Sequence, residues 1–421
     1  MKSMALTMNK KLYYGWIIVL MSGLAFFFSA PGQTYSISVF INYYQTERGI
    51  SSTLISTGYS VATTLSGLSL IFMGRFVDRY GARRMMIVVG LLLAFTTWYQ
   101  SFVTHIVFIF IGFFFLRYFG QGSLTLMPNS LVPQWFEKRR AFAVSLSSIG
   151  SLIATMSVPA LNLWLIHTFG FETAWRLWGI ALMVGFVPLV ALFVFNRPED
   201  LKMTMENGTD DKEAVAASLL RLNEESFTLR EAVRTSAFWI AGFISTIASM
   251  FTTGITFHFF SIMRLRSISE ETAALIIGLV AFPAFFMPLI ARVILDKVAV
   301  HKVFGVTLTW IIISMGWLAW GVRDATTATL FILFYGSAVA IQSVALNVLW
   351  PNFFGRKYLG SIRGAATVFM VLGSALGPLP FGIGYDLTGR YTGVILGMMV
   401  YTGVILGFSF FIKKPSMKAR G

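Results

Sequence analysis

Long apolar stretches alternate with short polar ones along the whole chain of 421 residues. Each apolar stretch has about 20 residues, which is the length an α-helix needs to cross roughly 30 Å of membrane hydrocarbon. The stretches fall at 14–38, 51–73, 85–103, 106–132, 141–165, 174–196, 236–261, 271–291, 303–321, 327–350, 364–384 and 391–412. The pattern predicts an all-α membrane protein with twelve transmembrane helices.

Composition agrees with this prediction. Hydrophobic residues make up 56% of the chain and charged residues only 12%, whereas soluble domains carry about 25% charged residues. Because so much apolar surface cannot be buried in one water-soluble core, we expect it to face lipid.

A single long polar stretch, residues 197–235, divides the twelve segments into six and six, and it holds 9 of the 18 acidic residues. We expect a surface helix around 211–222 within it. The predicted domains are two bundles and a cytoplasmic central loop, at 1–196, 236–421 and 197–235.

The two halves show a weak internal repeat. An offset of 218 residues places Asp78 on Asp296 and Asn129 on Asn347, in each case near corresponding helix ends. Such repeats are common in membrane transporters, so we expect the two six-helix bundles to be pseudo-symmetric.

Basic residues are distributed unevenly between the two sides of the membrane. With the N-terminus in the cytoplasm, the inner segments hold 26 Lys and Arg residues and the outer segments hold 6. Lys and Arg are enriched in cytoplasmic loops. The split predicts a multi-pass protein of the cytoplasmic membrane with both termini inside.

The formal charge of +15 and the absence of cysteine exclude several other functions. The basic residues cap apolar segments and are not interleaved with exposed aromatics, so we expect no nucleic-acid partner. The four histidines share no metal-ligand spacing. We therefore expect neither a metal nor a cofactor.

The loop after the second apolar segment carries a recognisable motif. It has a glycine, an Asp-Arg pair, a second glycine and a basic pair, at Gly74, Asp78, Arg79, Gly81, Arg83 and Arg84. This motif resembles the signature loop of the major facilitator superfamily, and Asp296 belongs to a degenerate copy in the second half. The resemblance implies two bundles around a central cavity and transport by alternating access. Asp78 and Asp296 then either latch the cytoplasmic side closed or only fix a tight turn.

Three further stretches narrow the resemblance: Tyr14–Trp16, Arg117–Ser123 and Trp135–Ala141. They resemble the first helix, the fourth helix and the following loop of monocarboxylate porters and oxalate/formate exchangers. The resemblance implies a small carboxylate as substrate.

This sequence also departs from those relatives. Tyr35 stands where animal monocarboxylate porters carry a lysine, and Pro283 and Met287 replace an Asp and an Arg of helix eight. Oxalate exchangers use a lysine in helix eleven, and residues 364–384 contain none. Lactate-like or oxalate substrates therefore do not carry over from the resemblance.

Arg117 is the one charge predicted near the membrane centre, about ten residues into helix four. None of the acidic residues lies mid-membrane. An ionisable group at this depth costs about 3 kcal/mol or more and is a functional candidate. Its guanidinium either attracts an anionic substrate or bonds to backbone carbonyls and ties helix four to a neighbour.

Helix one is interrupted at Pro31-Gly32, and such breaks expose backbone groups that bind solutes or simply kink a helix. His258 is either a proton carrier or a hydrogen-bonded anchor. Neutral polar residues expected to line the cavity are Gln33, Tyr35, Gln121, Thr252, Thr253 and Gln342.

Together these features predict a secondary active transporter of a small organic anion such as a carboxylate, coupled to protons or to exchange. The expected partners are the substrate, protons and the lipid bilayer, with the chain as a monomer. The alternatives are an exporter of neutral or amphipathic compounds and a non-transporting membrane sensor. Residues 197–235 are too short for a sensor's output domain, and we find no catalytic constellation that would indicate an enzyme.

Overall fold

The computed structural model describes residues 13–136, 139–201, 203, 226–355 and 357–415. Within these ranges twelve helices are long and apolar enough to span a membrane, which confirms the predicted all-α membrane fold. They are α1 (Gly15–Thr46), α2 (Ser52–Tyr80), α3 (Ala82–Phe102), α4 (Ile106–Gln134), α5 (Phe142–Phe169), α6 (Phe171–Phe193), α7 (Ser236–Arg264), α8 (Glu270–Lys297), α9 (Val300–Gly321), α10 (Ala325–Phe354), α11 (Ser361–Thr388) and α12 (Thr392–Ser409). The surface helix expected around 211–222 lies outside the described residues.

The first two helices are longer than their apolar stretches indicate. The prediction ends helix one at residue 38, whereas α1 continues to Thr46. The added turns contain polar residues that find partners inside the protein: Tyr44 is fully buried and its hydroxyl accepts a hydrogen bond from Gln100 at 3.1 Å. Similarly, α2 continues beyond residue 73 to Tyr80, so most of the predicted motif loop is helical.

Contacts divide the chain into two compact units. Unit 1 comprises Met1–Ile50 and Val61–Asp210, and unit 2 comprises Ser51–Ser60 and Asp211–Gly421. The sequence places all of 1–196 in one bundle. By their contacts, Ser51–Ser60 at the N-terminal end of α2 belong to unit 2. The predicted domain bounds stay a prediction.

In unit 1 an aromatic cluster fixes the start of α1. Tyr13 donates its hydroxyl hydrogen to the carbonyl of Trp135 at 2.6 Å, and the rings of Trp16 and Phe136 lie 4.8 Å apart. A Cβ atom on Gly15 would come within 2.9 Å of the Phe136 ring. Two of the stretches that resemble the monocarboxylate porters therefore meet here, where they hold the chain after α4 against α1.

In unit 2 the helices enclose a core of buried apolar side chains from α7, α9, α10 and α12. Among its members are Phe238, Ile244, Leu308, Leu349 and Ile405. Side chains that cap the helix ends precede α7 and α8: Thr235 accepts from the Phe238 N–H and Ser269 from the Thr272 N–H.

Asp324 caps α10 and makes stability depend on pH. Its carboxylate accepts from the Thr327 N–H at 2.8 Å, and the Thr327 hydroxyl accepts from the Asp324 N–H at 3.0 Å. These hydrogen bonds lower the pKa of Asp324. A carboxyl whose pKa is lower in the folded state stabilises the fold above its unfolded pKa, and this contribution is lost as the pH falls through the folded value.

We therefore expect Asp324→Ala to lower the thermal unfolding temperature at pH 7, and the difference from the unsubstituted chain to shrink below about pH 4. Thermal unfolding followed by tryptophan fluorescence at both pH values measures this. Asp324→Asn is the matched control, because asparagine caps a helix without a titratable group. An Asp324→Ala effect that is equally large at both pH values would contradict the assignment.

Candidate functional site

The middle of α1 is broken, as the sequence predicts. An α-helical part, Gly15–Phe28, is followed by a 3₁₀ turn at Ala30–Gly32 and a second α-helical part, Thr34–Thr46. Between them Gln33 is extended, with φ −83° and ψ 148°. Because Pro31 has no backbone N–H, it cannot continue the hydrogen-bond ladder of the first part. The break leaves the first N–H groups of the second part outside the ladder.

The neighbouring part of α4 is also irregular, with a π-helical stretch at Leu116–Ser123. Such stretches are frequent at functional sites. The two irregular backbones touch: a Cβ atom added to Gly32 would lie 2.1 Å from the Leu116 carbonyl oxygen and 2.8 Å from the Gly120 Cα. The break in α1 and the π-helical stretch of α4 thus form one packed feature of unit 1.

Arg117 lies in this π-helical stretch and is only 3% exposed. Its Nε donates to the Thr63 hydroxyl at 3.1 Å, and its Nη1 donates to the Gly32 carbonyl at 3.1 Å and to the Thr34 hydroxyl at 3.3 Å. The bond to the Gly32 carbonyl ties α4 to α1, as expected if Arg117 has a structural role. These three partners are neutral hydrogen-bond acceptors for the charged guanidinium.

A second source of positive potential lies beside Arg117. The second part of α1 begins at Thr34, and the N-terminal end of a helix carries roughly half a positive charge. In transporters with discontinuous helices such ends face anionic groups of the substrate. The buried guanidinium and the helix end therefore favour a negative group at the break.

The other predicted residues of unit 1 surround the same feature. The Gln33 side chain donates to the Ser29 hydroxyl at 3.0 Å, and Tyr35 packs against the buried cluster that contains Ala30. The side-chain oxygen of Gln121 is buried, and no described residue offers it a hydrogen bond. The structure thus brings Gln33, Tyr35, Arg117 and Gln121 to one place.

Residues that sequence reasoning missed complete this site. Thr34 and Thr63 hold Arg117, but isolated threonines in apolar helices are too common to single out. Asn162 is fully buried, donates to the Ser36 hydroxyl at 2.8 Å and accepts from the Trp178 indole N–H at 2.7 Å. An asparagine within the apolar stretch of predicted helix five is a signal that could have been noticed.

The predicted residues of unit 2 join its helices to one another. Thr252 and the Tyr335 hydroxyl lie 2.6 Å apart, and Thr253 lies 3.0 Å from the Ser374 hydroxyl. Gln342 is fully buried and donates to the Ile244 carbonyl at 3.2 Å. These bonds connect α7 with α10 and α11, so each of the three residues has a packing role in this structure.

His258 is 1% exposed and hydrogen-bonded on both ring nitrogens. Its Nε2 lies 3.1 Å from both the Ser56 hydroxyl and the Pro378 carbonyl oxygen, and its Nδ1 lies 3.4 Å from the Tyr391 hydroxyl. Unlike Thr252 and Thr253, each of which has one such partner, His258 therefore has three polar neighbours: one on α2, one on α11 and one just before α12.

The motif residues between α2 and α3 have distinct positions. Gly81 has φ +83°, and a Cβ atom there would lie 2.5 Å from the side chain of Asn196. The Arg83 N–H donates to the Asn196 side-chain oxygen at 2.9 Å, and its guanidinium donates to the Ala191 carbonyl. Gly81 and Arg83 therefore form the turn and attach it to the end of α6.

The other charged residues of the motif are exposed. Asp78, Arg79 and Arg84 are exposed, as is Asp296 near the end of α8, and Gly74 lies inside α2 with no neighbour where a Cβ would be. Neither Asp78 nor Asp296 forms a hydrogen bond or ion pair with a described residue. The cytoplasmic latch stays a prediction.

Among the described residues, twelve helices long and apolar enough to span a membrane, one of them broken beside a buried charge, are typical of a multi-pass membrane protein. Residues 16–378 match the family model described as the Major Facilitator Superfamily. The chain belongs to this superfamily, and the resemblance carried by the motif is confirmed.

Among curated proteins the chain is similar to monocarboxylate transporters. It is 23% identical to human monocarboxylate transporter 2 over 402 residues, which cover 90% of this chain and 81% of that protein. It is 27% identical to mouse monocarboxylate transporter 9 over 176 residues, which cover 42% of this chain and only 33% of the mouse protein.

Among solved structures the fold is similar to a bacterial homologue of the human lysosomal transporter Spinster, in an inward-facing and unoccupied conformation. The TM-score is 0.75 at 13% identity, over 96% of this chain and 97% of that one. At this identity the likeness concerns the fold alone.

Proposed function

We propose that this chain is a secondary active transporter that moves a small organic anion, in the simplest case a carboxylate, across the cytoplasmic membrane by alternating access. The observation that supports this most is the buried guanidinium of Arg117, which neutral partners hold beside the break in α1. The orientation with both termini inside, the monomeric state and coupling to protons or to exchange belong to the same proposal.

The proposal rests on electrostatics. A charged side chain in a dry environment is costly, and a counter-charge that arrives with the substrate recovers part of that cost. Hydrogen bonds between charged groups contribute about 1.5–3 kcal/mol each, roughly a tenfold to 150-fold change in affinity. A carboxylate with one bond to Arg117 would therefore be distinguished clearly from a neutral analogue of the same shape.

The names of the relatives support an acid as substrate, but the anchor proposed here lies elsewhere. By the resemblance described above, animal monocarboxylate porters carry charges at three positions that are Tyr35, Pro283 and Met287 in this chain. In this chain the binding of an anion is proposed to depend on Arg117 and on the helix end at Thr34.

A ligand screen on the purified chain tests the substrate class. Short carboxylic acids are compared with their own primary amides, which keep the shape and lose the charge. A ligand at one hundred times its dissociation constant stabilises a protein by about 2.7 kcal/mol, so a binding acid should raise the unfolding temperature while its amide does not. Equal stabilisation by amides or other neutral compounds would contradict the proposal and favour an exporter of neutral or amphipathic molecules.

A further inference from the structure

The N-terminal end of α2 is held in unit 2 by a carboxylate from α11. Asp386 accepts hydrogen bonds from the backbone N–H groups of Ser52 at 3.2 Å and Thr53 at 2.7 Å. These N–H groups have no partner within their own helix. A carboxylate at this position satisfies them and also favours the positive end of the helix dipole.

Residues 52–59, called the docking segment below, pack very closely on α11. A Cβ atom added to Gly382 would lie 2.6 Å from the Ser56 hydroxyl oxygen and 2.7 Å from the Ser52 carbonyl oxygen. The ring of Tyr59 lies 4.4 Å from that of Phe257 on α7, and both Ser56 and Tyr59 are fully buried. The absence of a side chain at Gly382 is what permits this approach.

His258 contacts the docking segment through Ser56. Its other contacts determine which ring nitrogen carries the hydrogen. A carbonyl oxygen only accepts hydrogen bonds, so the Pro378 carbonyl at 3.1 Å requires a hydrogen on Nε2 of His258. The Ser56 hydroxyl lies 3.1 Å from the same nitrogen, so the docking segment covers this side of the ring. Nδ1 faces the Tyr391 hydroxyl at 3.4 Å, and that hydroxyl is within 2.9 Å of the Ser261 hydroxyl.

The titratable groups around this ring come from α7, α11 and the start of α12. Burial raises the pKa of Tyr391, so this residue keeps its hydrogen and remains neutral. Tyr385 stacks on Tyr391 with 5.0 Å between the ring centroids, and the charge of Arg264 also acts on Tyr391. Asp386 is the carboxylate that acts on His258 electrostatically, and it is already bonded to the docking segment.

We propose that His258 is a proton-binding site that controls the docking segment: the neutral imidazole seats the segment, and protonation of Nδ1 releases it. With the docking segment in place, a positively charged imidazolium would be buried away from water. The Asp386 carboxylate would still be hydrogen-bonded to the backbone of Ser52 and Thr53. Departure of residues 52–59 admits water to the ring and frees the Asp386 carboxylate to face the new charge. The transferred proton comes from water and is held on Nδ1.

This proposal is independent of the substrate. If Arg117 binds no anion, a release of the docking segment by protons can still be observed. Conversely, docking that does not depend on pH leaves the anion proposal untouched. The two proposals therefore fail separately.

Labelling of single cysteines tests the proposal, and the chain is well suited to it because it contains no cysteine. Ile55→Cys places a thiol in the docking segment at a position that is fully buried in the structure. Thr326→Cys, at an exposed position, corrects for the pH dependence of the reagent. The full chain in lipid nanodiscs is treated with a maleimide at pH 7.5 and at pH 5.5.

We expect the corrected labelling rate at residue 55 to rise about tenfold at pH 5.5, and to be slow at both pH values when His258→Gln is added, because glutamine cannot take up the proton. His258→Asn is a second neutral replacement in case the first does not fold. Asp386→Asn should speed labelling at both pH values and keep the pH response. A rate at residue 55 that is independent of pH with His258 present, or a pH response that survives in a folded His258 variant, would overturn the proposal.

Discussion

Replacing Arg117 by glutamine is expected to lower uptake of the transported acid by at least about tenfold in proteoliposomes loaded with the purified chain. Glutamine keeps hydrogen-bonding capacity for the Gly32 carbonyl and the Thr63 hydroxyl but has no charge. Loss of one charge-assisted hydrogen bond of about 1.5–3 kcal/mol accounts for a decrease of this size. Uptake of the acid at several concentrations is the measurement, since the loss should fall mainly on apparent affinity.

Two controls separate substrate binding from helix packing. Arg323→Gln removes an exposed arginine and should leave uptake unchanged. Arg117→Lys keeps the charge but loses the planar fork that reaches Gly32, Thr34 and Thr63 together, so we expect partial uptake. Normal uptake in a stably folded Arg117→Gln variant would remove the argument for an anion. If Arg117→Gln and Arg117→Lys lower the unfolding temperature by the same amount, the role of Arg117 is structural alone.

Replacing Gly32 by alanine is expected to damage unit 1 strongly for so small a change. The new methyl group would lie 2.1 Å from the Leu116 carbonyl oxygen and 2.7 Å from the Gln121 backbone nitrogen. Both neighbours are backbone atoms, so no side chain can turn away. Overpacking of this kind typically costs about 1–3 kcal/mol and sometimes more.

We therefore expect Gly32→Ala to lower the unfolding temperature by several degrees and to abolish uptake, because the break in α1 must move away from Arg117. Gly185→Ala is the matched control in the same unit, since its nearest neighbour, the Phe28 ring, lies 3.5 Å away. If the two variants have the same stability and uptake, the close contact between α1 and α4 is not needed for function.

The fold was predictable because the thickness of a bilayer determines how long each apolar stretch of the sequence must be. Each crossing needs about 20 apolar residues, so counting such runs finds the helices. The break at Pro31 was predictable for a similarly local reason, the missing N–H of proline. The ends of helices were less predictable, since Tyr44 and Gln100 bury polar groups against each other and extend α1 beyond its apolar run.

The candidate site was predictable in part. Arg117 is conspicuous in the sequence as a charge within an apolar helix, and Gln33, Tyr35 and Gln121 could be proposed as its neighbours. Its actual partners, such as Thr63 on α2, depend on contacts between distant segments that no local pattern encodes. The π-helical stretch of α4 packs against Gly32, and this contact between distant segments has no local pattern either.

The docking segment illustrates the same limit at the opposite end of α2. The sequence marks Asp386 only as one of the acidic residues at helix ends, and His258 only as an isolated histidine. Both contact residues 52–59 because Gly382 lets that segment approach α11 closely enough for the cap to form. A cap supplied by a residue more than three hundred positions away has no signature in the sequence.

The central claim is that an anionic substrate is recognised at the break in α1, and a structure of the chain with the stabilising acid bound tests it most directly. The account predicts carboxylate oxygens about 3 Å from the guanidinium of Arg117 and close to the helix end at Thr34. A bound acid whose carboxylate lies away from Arg117, with the bonds to Gly32 and Thr63 as they are now, would contradict it.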